Sequence, residues 1–184
     1  FQKRSSMNKV HLLLIVILSI LFSCTSNEDK LKKEKQEIES NIARLEKILL
    51  SDTTGDINIA AANEVIKYYA SYSYKFQDDS ITPEYIFRMA NVFEALGKAR
   101  EAIEAFHKVE SKYPDYPKKD ICIFMQGNIY ESELNDLDKA RECYERYLQY
   151  YPNKPFAKDV KVLLDNLGKS PEELLKSIQK ESNS

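Results

Sequence analysis

A chain of 184 residues with a net charge of -2 and 30% charged residues has room for one domain with extensions. It lacks the concentrated basic face that nucleic-acid binding requires. Three cysteines (Cys24, Cys122 and Cys143) are too few for a disulfide framework. His11 and His107 stand alone, without zinc-ligand spacing, so neither a metal nor another cofactor is expected.

The sequence opens with Phe1, and Met7 is the expected start of translation, so residues 1–6 are set aside. Lys9 supplies a short basic region. Leu12 to Phe22 is a nearly unbroken apolar run of 11 residues. A spanning helix needs about 20, whereas this length fits the core of a signal peptide. The run ends in Leu21-Phe22-Ser23-Cys24.

That ending resembles the signal of bacterial lipoproteins, in which the apolar core closes on a Leu-x-small-Cys box. The resemblance implies that Cys24 is thioether-linked to diacylglycerol and becomes the mature N-terminus. Several acyl chains, palmitate among them, would make the attachment lasting, since one chain alone binds only marginally. An ordinary secretory cleavage with an incidental Cys24, and an uncut N-terminal anchor, are the competing readings. Thr25 follows the cysteine where enterobacterial inner-membrane lipoproteins carry Asp, which points to the outer membrane. Glu28-Asp29 is similar to the acidic tags that export some lipoproteins to the cell surface, and equally suits a solvated linker.

From Glu28 to Leu50 the apolar residues Leu31, Ile38 and Leu45 recur every seven positions, as do Ile42 and Leu49, among Lys, Glu and Gln. This is an amphipathic helix with a narrow stripe. It would self-associate as a short coiled coil, pack on the rest of the chain, or hold the body off the membrane. Ser51 to Asp56 reads as a linker.

Helical periodicity then runs from Ile59 almost to the end. Helices are expected near 59–76, 83–96, 98–113, 119–133, 136–151, 155–167 and 171–180, with turns at Gly97, Asn135 and Gly168. Thr82-Pro83 is a start signal, with Thr as the cap. Ser170-Pro171-Glu172-Glu173 has capping-box spacing. All 12 tyrosines lie between Tyr68 and Tyr151, which places the packed core there.

The stretch Ile86 to Glu94 recurs 37 residues later as Ile123 to Glu131, with Ile, Phe, Asn and Glu identical. Ala102-x3-Phe106 recurs as Ala140-x3-Tyr144, each followed eight residues on by Pro114 and Pro152. The offset grows from 37 to 38 between the two, so one extra residue sits near Leu134-Asn135. Val65 and Tyr69 fall at the equivalent positions of an earlier, degenerate second helix.

These positions resemble the tetratricopeptide repeat, with its large residue, Leu-Gly, Tyr, Ala-x3-Phe and Pro over about 34 residues. The resemblance implies an all-α, TPR-like solenoid of stacked helical hairpins, preceded by an amphipathic helix and the signal peptide. The expected division is 1–23 signal peptide, 24–58 lipid-anchored tether with the amphipathic helix, and 59–181 repeat domain. By resemblance, Phe87, Asn91 and Glu94, with Phe124, Asn128 and Glu131, would line the concave face. There an Asn amide clamps an extended peptide. Phe stands where relatives that grip a C-terminal carboxylate carry Lys.

No Gly-rich phosphate loop and no His paired with a nucleophile occurs, and carboxylates are scattered beside Lys and Arg as on solvated helix faces. The chain is therefore expected to be no enzyme and to take no small-molecule substrate. The expected role is an adaptor of the bacterial cell envelope, bound to a protein or peptide partner and to the membrane through Cys24. It would sit at the outer membrane, on the periplasmic face or the cell surface. A spacer that self-associates through residues 28–50 is the alternative.

Overall fold

A computed structural model describes residues 28–51, 57–170, 172–173 and 175–176. Seven helices occur among these residues. They are α1 (28–51), α2 (Ile59–Lys75), α3 (Thr82–Ala95), α4 (Ala99–Lys112), α5 (Lys119–Ser132), α6 (Leu137–Tyr150) and α7 (Ala157–Asn166). Cys24 and the apolar run before it lie outside the described residues, as does most of the helix expected at 171–180. The capping box that begins it is formed: Glu173 Oε2 accepts from the Ser170 amide at 2.8 Å, and the Glu173 amide donates to Ser170 Oγ at 3.3 Å. None of the described helices is long and apolar enough to cross a membrane.

Successive helices run antiparallel and stack as hairpins α3–α4 and α5–α6. Small residues let the paired helices close. Ala90 and Ala102 are buried in the first hairpin. Gly127 holds the equivalent place in the second, where an added Cβ would lie 2.6 Å from the Tyr144 ring. Phe106 and Tyr144, both fully buried, fill the space between neighbouring helices. Tyr144 also donates to Glu131 Oε2 at 2.7 Å, so its ring cannot swing away cheaply.

The two hairpin turns are one motif at two lengths. In the first, Gly97 takes φ +67° and the Lys98 amide bonds to the Phe93 carbonyl at 2.9 Å. In the second, Asn135 takes φ +49° and the Asp136 amide bonds to the Tyr130 carbonyl at 2.8 Å. Both turns need a left-handed residue, which Gly and Asn supply at least cost. The second spans one residue more, which is the change of offset visible in the sequence.

Thr82, expected as the cap of α3, is its first residue, and Ile81 precedes it. The Thr82 hydroxyl instead donates to the Phe76 carbonyl, tying α3 back to the end of α2.

The helix expected in the tether belongs to the packed body. Ile38, Ile42 and Leu45 of α1 are 6%, 1% and 1% exposed and share one core with Val65, Tyr69 and Tyr72 of α2 and Ile86 of α3. Glu34 pairs with Lys75, Glu39 accepts from Tyr72, and Arg44 pairs with Glu64, so α1 and α2 run antiparallel. α1 is thus the first helix of the hairpin whose degenerate second helix is α2. A boundary between residues 58 and 59 does not divide the packing. Of the stripe available for self-association, Ile38, Ile42 and Leu45 are spent inside the chain, while Leu31 remains 48% exposed.

The result is two layers. First helices α1, α3, α5 and α7 neighbour one another through Glu46–Arg88, Glu84–Lys118 and Phe124 on Phe156. Second helices α2, α4 and α6 form the other layer, joined by Lys98 to Asn63 and Arg146 to Glu110.

Candidate partner-binding face

The row expected on the concave face is carried by α3 and α5. Phe87, Asn91 and Glu94 are spaced i, i+4, i+7, which brings them to one side of α3. Phe124, Asn128 and Glu131 repeat the spacing on α5. All six are half-buried, as expected for a row between core and solvent.

Part of this row is held within the fold. Phe87 meets Phe106 edge-on, with ring centres 5.6 Å apart, and Lys118 Nζ lies 4.9 Å from the Phe87 ring centre. Phe124 stacks on Phe156 at 5.4 Å with the rings nearly parallel. Glu131 accepts the Tyr144 hydroxyl. Asn91 donates one amide hydrogen to the Phe87 carbonyl at 3.0 Å. Among the described residues, the Asn128 amide makes no hydrogen bond to another protein group, and Asn91 makes none beyond that to Phe87. Burial, and then the charge of Glu133, raises the Glu94 carboxyl above its ordinary range. The row therefore runs from an aromatic end, through two amides, to an acidic end.

Beside it lies a network that the sequence does not single out. Glu84 in the first turn of α3 accepts from Arg88 at 2.9 Å, Tyr116 at 2.6 Å and Lys118 at 2.8 Å. Arg88 reaches on to Glu46 of α1 at 2.9 Å, and Glu46 also accepts from Tyr69 of α2. These carboxylates read as ordinary solvated faces in sequence. Their partners come from three other elements, so only the i, i+4 pair Glu84–Arg88 was legible. The network joins α1, α2, α3 and the start of α5, and fixes the spacing of the row.

Cys122 and Cys143 are buried free thiols. Burial pushes Cys122 up to about 12 and Cys143 up to about 11, which leaves both protonated and inert at neutral pH. Among the described residues no group of three or more His, Cys, Asp or Glu side chains is arranged to hold a metal ion. What the face offers is shape, apolar surface and hydrogen-bonding amides.

The family model of the tetratricopeptide repeat matches residues 84–116 and 122–154. These segments span α3–α4 and α5–α6 with the loops that follow, so the chain contains two tandem tetratricopeptide repeats within an all-α solenoid. Such repeats are typically non-enzymatic scaffolds for protein–protein interaction. No match was found among the curated proteins.

Proposed function

We propose that this protein is a lipid-anchored adaptor of the bacterial cell envelope, which docks a protein partner on the concave-face row of α3 and α5. The observation that carries it is the Phe-x3-Asn-x2-Glu row repeated on consecutive first helices, with Asn128 and part of Asn91 uncommitted among the described residues. Two amides in register on parallel helices suit the regularly spaced carbonyls and N–H groups of an extended peptide. The aromatic end supplies apolar area and the acidic end favours a cation on the partner. The lipoprotein-like box ending in Cys24 supports attachment through acyl chains, and Thr25 supports the outer membrane. Assistance to outer-membrane assembly or envelope maintenance fits an adaptor of this build.

Pull-down from detergent-solubilised envelopes tests the face. The Asn91→Ala/Asn128→Ala chain is expected to fold normally and lose the partner recovered with wild type. Retention of the same partner at equal yield would remove these residues from the site. Metabolic labelling with palmitate tests the anchor, and Cys24→Ser is expected to abolish incorporation.

A further inference from the structure

We infer that one edge of the solenoid, formed by the start of α1 and the loops 76–81, 113–118 and 151–156, lies against the membrane that holds the lipid on Cys24. The inference rests on the lipid-anchor reading above. It goes beyond that reading by assigning a surface to the lipid and an orientation to the body.

The first step is covalent reach. α1 begins at residue 28, and four residues span at most about 14 Å fully extended. Because α1 packs as the first helix of the array, it is no stalk. The body is tied to the bilayer at the end of α1 where that helix begins.

The second step is which part of the fold shares that end. Lys35 of α1 pairs with Asp79 in the loop after α2. Tyr113, after α4, donates to the Gln77 carbonyl of that same loop at 3.2 Å. Lys154, after α6, approaches Asp120 at the start of α5. These bonds run edgewise from hairpin to hairpin, so all three inter-hairpin loops lie on the side where α1 starts.

The third step is composition. Tyr74 and Tyr150, in the last turns of α2 and α6, are 78% and 63% exposed, and Phe156 is 38% exposed. Between the first two loops is an open cleft of about 470 Å³, in which Pro83, Tyr113, Pro114, Tyr116 and Pro117 alternate with polar side chains that include Asp78, Asp79, Lys112 and Asp115. At the opposite edge, the turns Gly97-Lys98, Leu134-Asn135-Asp136 and Gly168-Lys169 carry no aromatic residue. The exposed large apolar residues there, Leu50 and Ile59, are aliphatic and lack the polar tip of tyrosine. Exposed tyrosines, with an apolar ring and a polar tip, suit the bilayer interface. Lys30, Lys32, Lys33 and Lys112 are exposed at the same edge and can lay their stems along it with the ammonium in the headgroups. Asp79 and Asp120 are covered by Lys35 and Lys154, whereas Glu28, Asp29, Asp78 and Asp115 stay exposed at this edge and offset the lysines, so the contact is carried by the aromatic rings and the lysine stems rather than by net charge. In this orientation the helices stand off the bilayer and the Phe-Asn-Glu row opens sideways along it.

The test uses the full-length lipidated protein in vesicles of phosphatidylethanolamine and phosphatidylglycerol. A spin label is placed at Tyr150→Cys or, in a second chain, at Asp138→Cys at the other end of α6. Tyr74→Cys is a further site at the proposed edge. The native thiols Cys122 and Cys143 are buried. Collision with oxygen, relative to a water-soluble nickel complex, is expected to be several-fold higher at positions 150 and 74 than at 138. Equal values on a chain that floats with the vesicles overturn the orientation and leave the anchor standing. A chain that does not float overturns both.

Discussion

Glu84 shows how one carboxylate organises its surroundings. It sits in the first turn of α3, where the helix terminus favours negative charge. Its side chain is 18% exposed. Burial pushes its carboxyl up, but hydrogen bonds from Lys118, Tyr116 and Arg88 outweigh burial and hold it at about 2, against an ordinary 4.5. A folded value below the unfolded one means that the ionised form stabilises the fold. That stabilisation is complete above the ordinary value and is lost as pH falls from 4.5 to about 2. Glu84→Gln is expected to cost about 1–3 kcal/mol at pH 7, because three donors lose a charged acceptor. The deficit should shrink through that acid window and vanish near its lower end. Urea unfolding at pH 7, 4 and 2.5 measures it, and a deficit constant across the three would contradict the assignment. Asp79, lowered chiefly by its bond from Lys35, keeps some acid dependence in the variant.

At the scale of the element, α1 separates what the sequence states from what only packing decides. The six helices expected between residues 59 and 167 were legible to within two residues at each end, because the apolar period and the turn residues Gly97, Asn135 and Gly168 agree. The repeat was legible for the same reason: Ala102, Phe106, Ala140 and Tyr144 recur at a fixed offset. α1 was legible as an amphipathic helix and no further. A stripe of Ile38, Ile42 and Leu45 is the same pattern whether it covers a second copy, a membrane or the face of α2. The site divides likewise. Spacing alone puts Phe87 and Asn91 on one side of α3, but the Asn91 bond to its own helix and the Phe124–Phe156 stack depend on atoms that no spacing reveals. If α1 belongs to the body, Ile42→Ala should cost about 2–5 kcal/mol, as for other fully buried aliphatics. Thermal unfolding followed by helical circular dichroism should show one lowered transition. An unchanged midpoint would return α1 to the role of a tether.

Across the whole molecule, a stack in which each hairpin touches only its neighbours should respond locally to damage. The buried side chains fall into two clusters. One runs from α1 to α5, and a smaller one joins Ile123, Ala140, Cys143, Tyr144 and Tyr147 to Ala157 and Val160. α7 closes the second cluster with two buried residues, Ala157 and Val160, and the partly buried Leu163, Leu164 and Leu167, against the buried Ile38, Ile42 and Leu45 of α1, so the C-terminal end is the less deeply covered one. Hydrogen exchange of the wild type should therefore show α7 and α6 opening at lower free energy than α2–α4. Val160→Ala deletes two methyl groups from a site with no exposure. It is expected to raise exchange in α6 and α7 several-fold and to leave α1 and α2 nearly unchanged under native conditions. Equal acceleration in all helices would mean that the chain unfolds as one unit. The two clusters would then be a division of space without a division of energy. The local outcome also bears on binding, because α3 belongs to the larger cluster while α5 contributes to both. A partner lying across Asn91 and Asn128 would tie the weaker end to the stronger, and its binding should slow exchange in α6 and α7 more than in α1 and α2.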